Sequence, residues 1–220
     1  MGTSEEHRWV YPVRVGSLVH TYANIAEQAF GDFLDEDAPC QLDQYERRRA
    51  NAIKTVVFSV MAIEAAAFEF IVTTQDEQVA TELDRLSIEA KWIAATDRPG
   101  WQSLAKNGPA LNCLRSLVKA RNSLVHQKSK PGDQTGKAMD DMRIEWARFE
   151  KDQVPNAFKT LVLLSLELDA LPSAFVGIVP YRDRRLLIPP GFRNDYSPHP
   201  RVKKVIDRCH QIHKKHLKGV

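Results

Sequence analysis

An all-α fold is what this sequence predicts: a helical bundle followed by a Pro-rich, basic C-terminal extension that itself ends in a helix. Three observations predict it. Apolar residues recur at spacings of three and four over most of residues 17–171. Turn-forming clusters such as Asp97-Arg98-Pro99-Gly100 and Pro131-Gly132 divide that stretch into helix-sized pieces. Beyond Leu171 the texture changes, with Pro172, Pro180, Pro189, Pro190, Pro198 and Pro200 breaking any continuous helix.

The elements follow in order. From Ser17 to Leu34, the residues Leu18, Tyr22, Ile25, Ala29 and Phe33 form one amphipathic stripe. Asp43 is a candidate N-cap for a long helix from about Tyr45 to Val72. The second half of that helix is apolar on nearly every side, which makes it the expected central helix. A further helix is expected over Asp76–Thr96 with a break near Ser87. Gly108-Pro109 opens the next, running to about Lys128. Two stretches, 138–153 and 155–171, come after it, with Pro155 kinking one helix or starting a second. Extended pieces are expected near Phe175–Val179 and Arg185–Ile188, and a last basic helix from Pro200. The division is thus a bundle over residues 1–172 and an extension over 173–220.

Composition narrows the class. The chain of 220 residues is 43% hydrophobic and 27% charged, ordinary for a folded protein with one sizeable core. Cys40, Cys113 and Cys209 are far apart and odd in number, so neither a disulfide framework nor a zinc knuckle is expected. The opening residues lack an apolar run of signal-peptide length, and Glu6 stands where a myristoylation signal needs Ser or Thr. The apolar run Val56–Val72 is interrupted by Ser59, Glu64 and Glu69, which fits a core helix and no membrane span. A cytoplasmic location is the resulting expectation.

The net charge of +3 hides an asymmetry. Residues 181–220 hold eleven Lys and Arg against three Asp, a net of +8, which leaves −5 for residues 1–180. A basic end on an acidic body suits a polyanionic partner, although a solvated helix face has the same composition. Phosphate contact is expected from Arg201, Lys203, Lys204, Arg208, Lys214 and Lys215. Tyr181, Phe192 and Tyr196 are candidates for stacking on bases or for packing on the body.

The helix opened by Pro109 carries the chemistry. Leu111, Leu114, Val118, Arg121 and Val125 follow one another at steps of 3, 4, 3 and 4, a single apolar seam. Arg121 stands in it where Leu is expected. A guanidinium there needs a carboxylate, a phosphate or an opening to water. Asn122 and His126, four residues apart, share a face, and His126 is the only histidine between residues 21 and 198.

Arg121-Asn122-Ser123-Leu124-Val125-His126 resembles the Arg, four residues, His motif of HEPN domains (higher eukaryotes and prokaryotes nucleotide-binding), including their frequent Asn after the Arg. Leu86-Ser87-Ile88-Glu89-Ala90-Lys91-Trp92 looks like the helix preceding the motif helix in such domains. Ala62-Ile63-Glu64-Ala65-Ala66 resembles their long early helix. The resemblance covers about residues 15–170. It implies a HEPN-like bundle that cuts RNA without metal or other cofactor, using the ribose 2′-hydroxyl as nucleophile. Arg121, Asn122 and His126 are then catalytic: His126 moves protons, Arg121 holds phosphorane charge and Asn122 orients. It also implies a homodimer in which two motif copies share one cleft. The implied role is a toxin or phage-defence effector, with an antitoxin or nucleotidyltransferase as partner.

Two further candidates complete the set. Glu64, on the apolar long helix, is expected to pair with Arg121 or Arg115 as a supporting residue. Cys209, His210, His213 and His216 have the spacing to grip a metal. The adjoining Lys214 and Lys215 repel a cation, so no metal site is expected. The competing expectation for the whole chain is a non-catalytic HEPN-like dimer that binds nucleic acid or protein. An antitoxin-like regulator ranks last, since no DNA-reading helix-turn-helix is visible.

Overall fold

The computed structural model describes residues 17–36, 41–97, 103–126, 135–171, 179 and 199–218. Among these, every regular element is helical: eight α-helices and one π-helical turn, with no strand. The expected extended pieces at 175–179 and 185–188 lie outside the described residues, apart from Val179.

Helix α1 (Val19–Asp35) buries Val19, Ala23, Ala26, Phe30 and Phe33, a stripe turned from the expected one: Ala29 and Phe33 are buried, Tyr22 and Ile25 only partly, and Leu18 is 47% exposed. Helix α2 (Leu42–Thr74) returns alongside it. Gln44, not Asp43, closes the start of α2: its Oε1 accepts the Gln41 N–H at 3.2 Å. Asp43 instead lies in the first turn and meets Arg47 at 3.4 Å. Arg48 binds the two helices together by donating to the Phe33 and Glu36 carbonyls at 2.9 and 2.8 Å, the open end of α1. By length and apolarity α2 is a helix that can cross a membrane. In this bundle its apolar side chains Ala52, Val56, Val60, Ile63, Ala67 and Phe70 are buried.

The break expected near Ser87 is present. Helix α3 (Glu77–Leu83) begins where Asp76 accepts the Val79 N–H, and α4 (Ile88–Thr96) where Ser87 accepts that of Ala90. Helix α4 pins Trp92 against Phe70, ring centroids 5.6 Å apart.

Helix α5 (Pro109–Val125) is followed by α6 (Lys137–Arg148), a π turn (Phe149–Gln153) and α7 (Val154–Asp169). The last three form one continuous helical rod. Pro155 has no N–H to give the carbonyl four residues back, and the chain absorbs this by widening: the Val154 N–H reaches five residues back to the Phe149 carbonyl.

The central helix is α7 rather than α2. Nearly every side chain from Val154 to Leu168 is buried, because α1, α2, α5 and α8 (Pro200–Lys218) all pack around it. Helix α2 has a longer apolar face, but α3 and α4 cover only part of its outer half and its first three turns are open. Helix α8 places Val202, Ile206 and Cys209 in the same core as α1 and α7, so it completes the ring of helices around α7. By contrast α6 buries nothing and stands out beyond the body, held at its end where Trp146 meets Arg49.

Candidate functional site

Helix α5 runs antiparallel to α7. The Ala110 N–H meets Glu167, the Cys113 carbonyl meets Asn156, and Ser116 meets Gln153 in the π turn. Its inner face consists of Ala110, Leu111, Leu114, Leu117 and Ala120. At about 100° per residue Arg121 lies seven residues beyond Leu114 and therefore on the same face. The face is open there, because past Ser116 the opposing rod has become α6, which buries nothing. Arg121 is accordingly half-buried, and Val125, one turn on, is 60% exposed. Val118, expected on the seam, is only partly buried.

Among the described residues Arg121 forms no ion pair. The two other half-buried arginines among the described residues, Arg48 and Arg115, each form one. Arg48 meets Glu150 at 2.8 Å, Arg115 meets Glu89 at 2.7 Å, and Arg47 lies against Glu36 and Asp43. The Arg121 side chain is half-buried beside the exposed Val125.

His126 is the C-cap residue of α5, its N–H bonded to the Asn122 carbonyl at 3.0 Å, and both side chains are exposed. Asn122 is thus tied to His126 through the backbone. No side-chain hydrogen bond joins them among the described residues. The motif is an accessible cation, amide and imidazole at one helix end.

Glu64 does not join this group. It pairs with Lys91 of α4 at 3.4 Å, and Asp84 shares that ammonium at 2.6 Å. Neither expected partner reaches it, since Arg115 is held by Glu89 and Arg121 lies toward the opposite end of α2. The physical reason is that Glu64 belongs to the α2 face covered by α4, where a lysine with its side chain 4% exposed needs two anions.

On α8, Lys203, Lys204, Arg208, Lys214 and Lys215 point outward, as expected for phosphate contact. Arg201 is otherwise engaged: its guanidinium donates to the Leu34 carbonyl at the end of α1, beside the His199–Asp35 pair at 2.8 Å. Cys209 faces inward, its thiol over the Lys159 carbonyl at 4.0 Å, and burial pushes it up to about 12. Among the described residues no group of three His, Cys, Asp or Glu is arranged to hold a metal ion. Tyr181, Phe192 and Tyr196 lie outside the described residues.

One polar group was not singled out from sequence. Glu167 is only 5% exposed, its Oε1 accepts the Ala110 N–H at 2.9 Å, and burial raises its carboxyl above the usual range. A single glutamate inside the run Leu161–Leu168 was the available signal.

Compared with family models, curated proteins and solved structures, the chain matches none.

Proposed function

We propose that this chain is a metal-independent endoribonuclease of HEPN type, with Arg121, Asn122 and His126 as its catalytic residues. One observation supports the reading above others: Arg121 is a half-buried guanidinium on an inward helix face, with no carboxylate partner among the described residues. In RNA cleavage the ribose 2′-oxygen attacks the adjacent phosphorus, the bond to the 5′-oxygen breaks, and a 2′,3′-cyclic phosphate and a 5′-hydroxyl result. The attacking hydroxyl loses a proton and the leaving oxygen gains one, work suited to imidazole. Arg121 faces the phosphorane oxygens with its two-pronged donor set.

Among the described residues a single chain offers one imidazole at this helix end, whereas the reaction needs a base and an acid. A second copy in a homodimer supplies the other. Val125, Met139, Met142 and Ile144 are exposed on α5 and α6 and offer apolar surface for it. A role as toxin or defence effector, held in check by an antitoxin or nucleotidyltransferase partner, belongs to the same proposal.

The test is purified protein on a single-stranded RNA in the presence of chelator. Cyclic-phosphate ends are expected, and His126→Ala or Arg121→Ala should each slow cleavage about 100-fold or more. RNA bound without any turnover would replace this reading by the non-catalytic binding one.

A further inference from the structure

The cations of α8 stand apart from those of the body. Among the described residues, Lys203, Lys204, Arg208, Lys214, Lys215 and Lys218 are all exposed and none is in an ion pair. In the body, Arg47, Arg48, Lys91, Arg115 and Arg143 meet carboxylates, while scattered cations such as Arg49, Lys54 and Lys119 do not; α8 differs in gathering its cations on one face. On a helix of 3.6 residues per turn the six fall within an arc of about 140°, opposite the buried Val202, Ile206 and Cys209. Asp207 is the one anion among them. Between Lys204 and Lys218 the stripe runs about 21 Å at 1.5 Å per residue, on a rod fixed to α7 and α1.

We propose that this outward face of α8 is a docking stripe for the phosphate backbone of double-stranded RNA, separate from the Arg121 site. Charge complementarity selects a polyanion. A membrane surface fits poorly, because the apolar side of α8 is spent in the core and only Leu217 is left exposed for insertion. A flexible single strand fits less well than a duplex. The helix carries no Phe, Tyr or Trp on which unpaired bases stack, and of its three histidines only His210 is exposed, whereas a rigid row of cations matches a rigid row of phosphates. The choice of RNA over DNA rests on the ribonuclease reading. Helix α8 begins at the end of the bundle where α1 stops, so a stem lying along it leads toward the open end that carries Arg121. The substrate class is then RNA with a stem beside the cut strand.

The experiment measures binding by the whole chain, using 2′-O-methyl strands that lack the attacking hydroxyl. The probes are an RNA duplex on the order of 20 base pairs, its single strand, and the matching DNA duplex. The RNA duplex should bind tightest. The triple variant Lys204→Gln, Arg208→Gln, Lys215→Gln should weaken it about tenfold or more and lower the salt slope by about 3. Asp207→Asn should tighten it. These side chains face water, so helical content checked alongside will confirm an intact fold. Unchanged affinity and slope in the triple variant, or equal binding of the single strand or the DNA duplex, overturns the proposal. Wild type that binds the duplex yet cuts no RNA upholds the stripe and ends the catalytic reading. Cleavage by wild type, with binding unaltered in the triple variant, does the reverse.

Discussion

Glu167 of α7 caps α5: its Oε1 accepts the Ala110 N–H at 2.9 Å inside the bundle. The first turn of any helix has orphan N–H groups, and Gly108 at the N-cap brings no side chain to meet them. A carboxylate from a neighbouring helix takes over, favoured by the positive end of the helix. Its Oε2 has no hydrogen-bond partner among the described residues, so the arrangement is costly in the charged form.

The first prediction concerns pH. Burial is the main cause raising the Glu167 carboxyl, opposed by the Ala110 hydrogen bond and by His216. With a folded pKa above the unfolded one, its contribution to stability is complete below the unfolded value, about 4.3. That contribution is lost as pH rises through the folded value. Glu167→Gln keeps an acceptor for Ala110 and removes the charge. Urea unfolding should show this variant at least as stable as wild type at pH 7, with a flatter dependence as pH rises above the ordinary carboxylate range. Glu167→Ala leaves a buried donor alone and should cost about 1–3 kcal/mol.

Gly108 is confined by the same cap. A Cβ there would lie 2.9 Å from the Ala105 carbonyl oxygen and 3.2 Å from Glu167 Oε2, so backbone must give way. Gly108→Ala is expected to lower stability by about 1–3 kcal/mol in thermal or urea unfolding. Gly136, whose added Cβ meets nothing within 4 Å but whose φ is +76°, should respond through backbone strain alone, about 1 kcal/mol.

Most of the helical pattern was legible because it follows from three-four spacing and from breakers such as Gly108-Pro109 and Pro131-Gly132. What was hidden depends on which helices meet. Nothing local distinguishes the leucines of α7, buried on all sides, from the Val, Ile and Phe side chains of α2, covered on one. Pro155 left open whether its helix kinks or restarts, since a π turn is a response to packing on either side of it. At the candidate site the spacing correctly put Arg121 on the inner face of α5. That the face opens there depends on α6 standing clear of the body, a feature with no mark in α5 itself. Glu64 was misassigned because its partner Lys91 comes from α4, and pairing across helices is not written in either segment.

Arg48 and Arg49 are neighbours in sequence with unequal roles. Arg48, its side chain 12% exposed, serves Phe33, Glu36 and Glu150 at once. Arg49 is exposed and rests on Trp146 at 4.6 Å. Arg48→Met should cost about 3 kcal/mol, since it strands a carboxylate and two carbonyls. Arg49→Met should cost under about 1 kcal/mol, the worth of an exposed cation–π contact. Equal losses in paired denaturation curves would refute this division of labour.

Cys209 gives a reading of whether α8 stays docked. Its thiol is fully buried between α8 and α7, and desolvation pushes it up to about 12, so hardly any thiolate exists at neutral pH. Alkylation by iodoacetamide should therefore proceed only as fast as α8 leaves α7, and peptide mass spectrometry will locate the adduct. Ile206→Ala, which removes apolar contact from the same face of α8, should cost about 2–5 kcal/mol and raise the labelling rate at Cys209. Lys204→Gln, on the opposite face, should leave that rate unchanged. Rapid labelling of Cys209 in the wild type would mean that α8 does not complete the ring around α7, and the rigid row of cations along its outer side would lose its support.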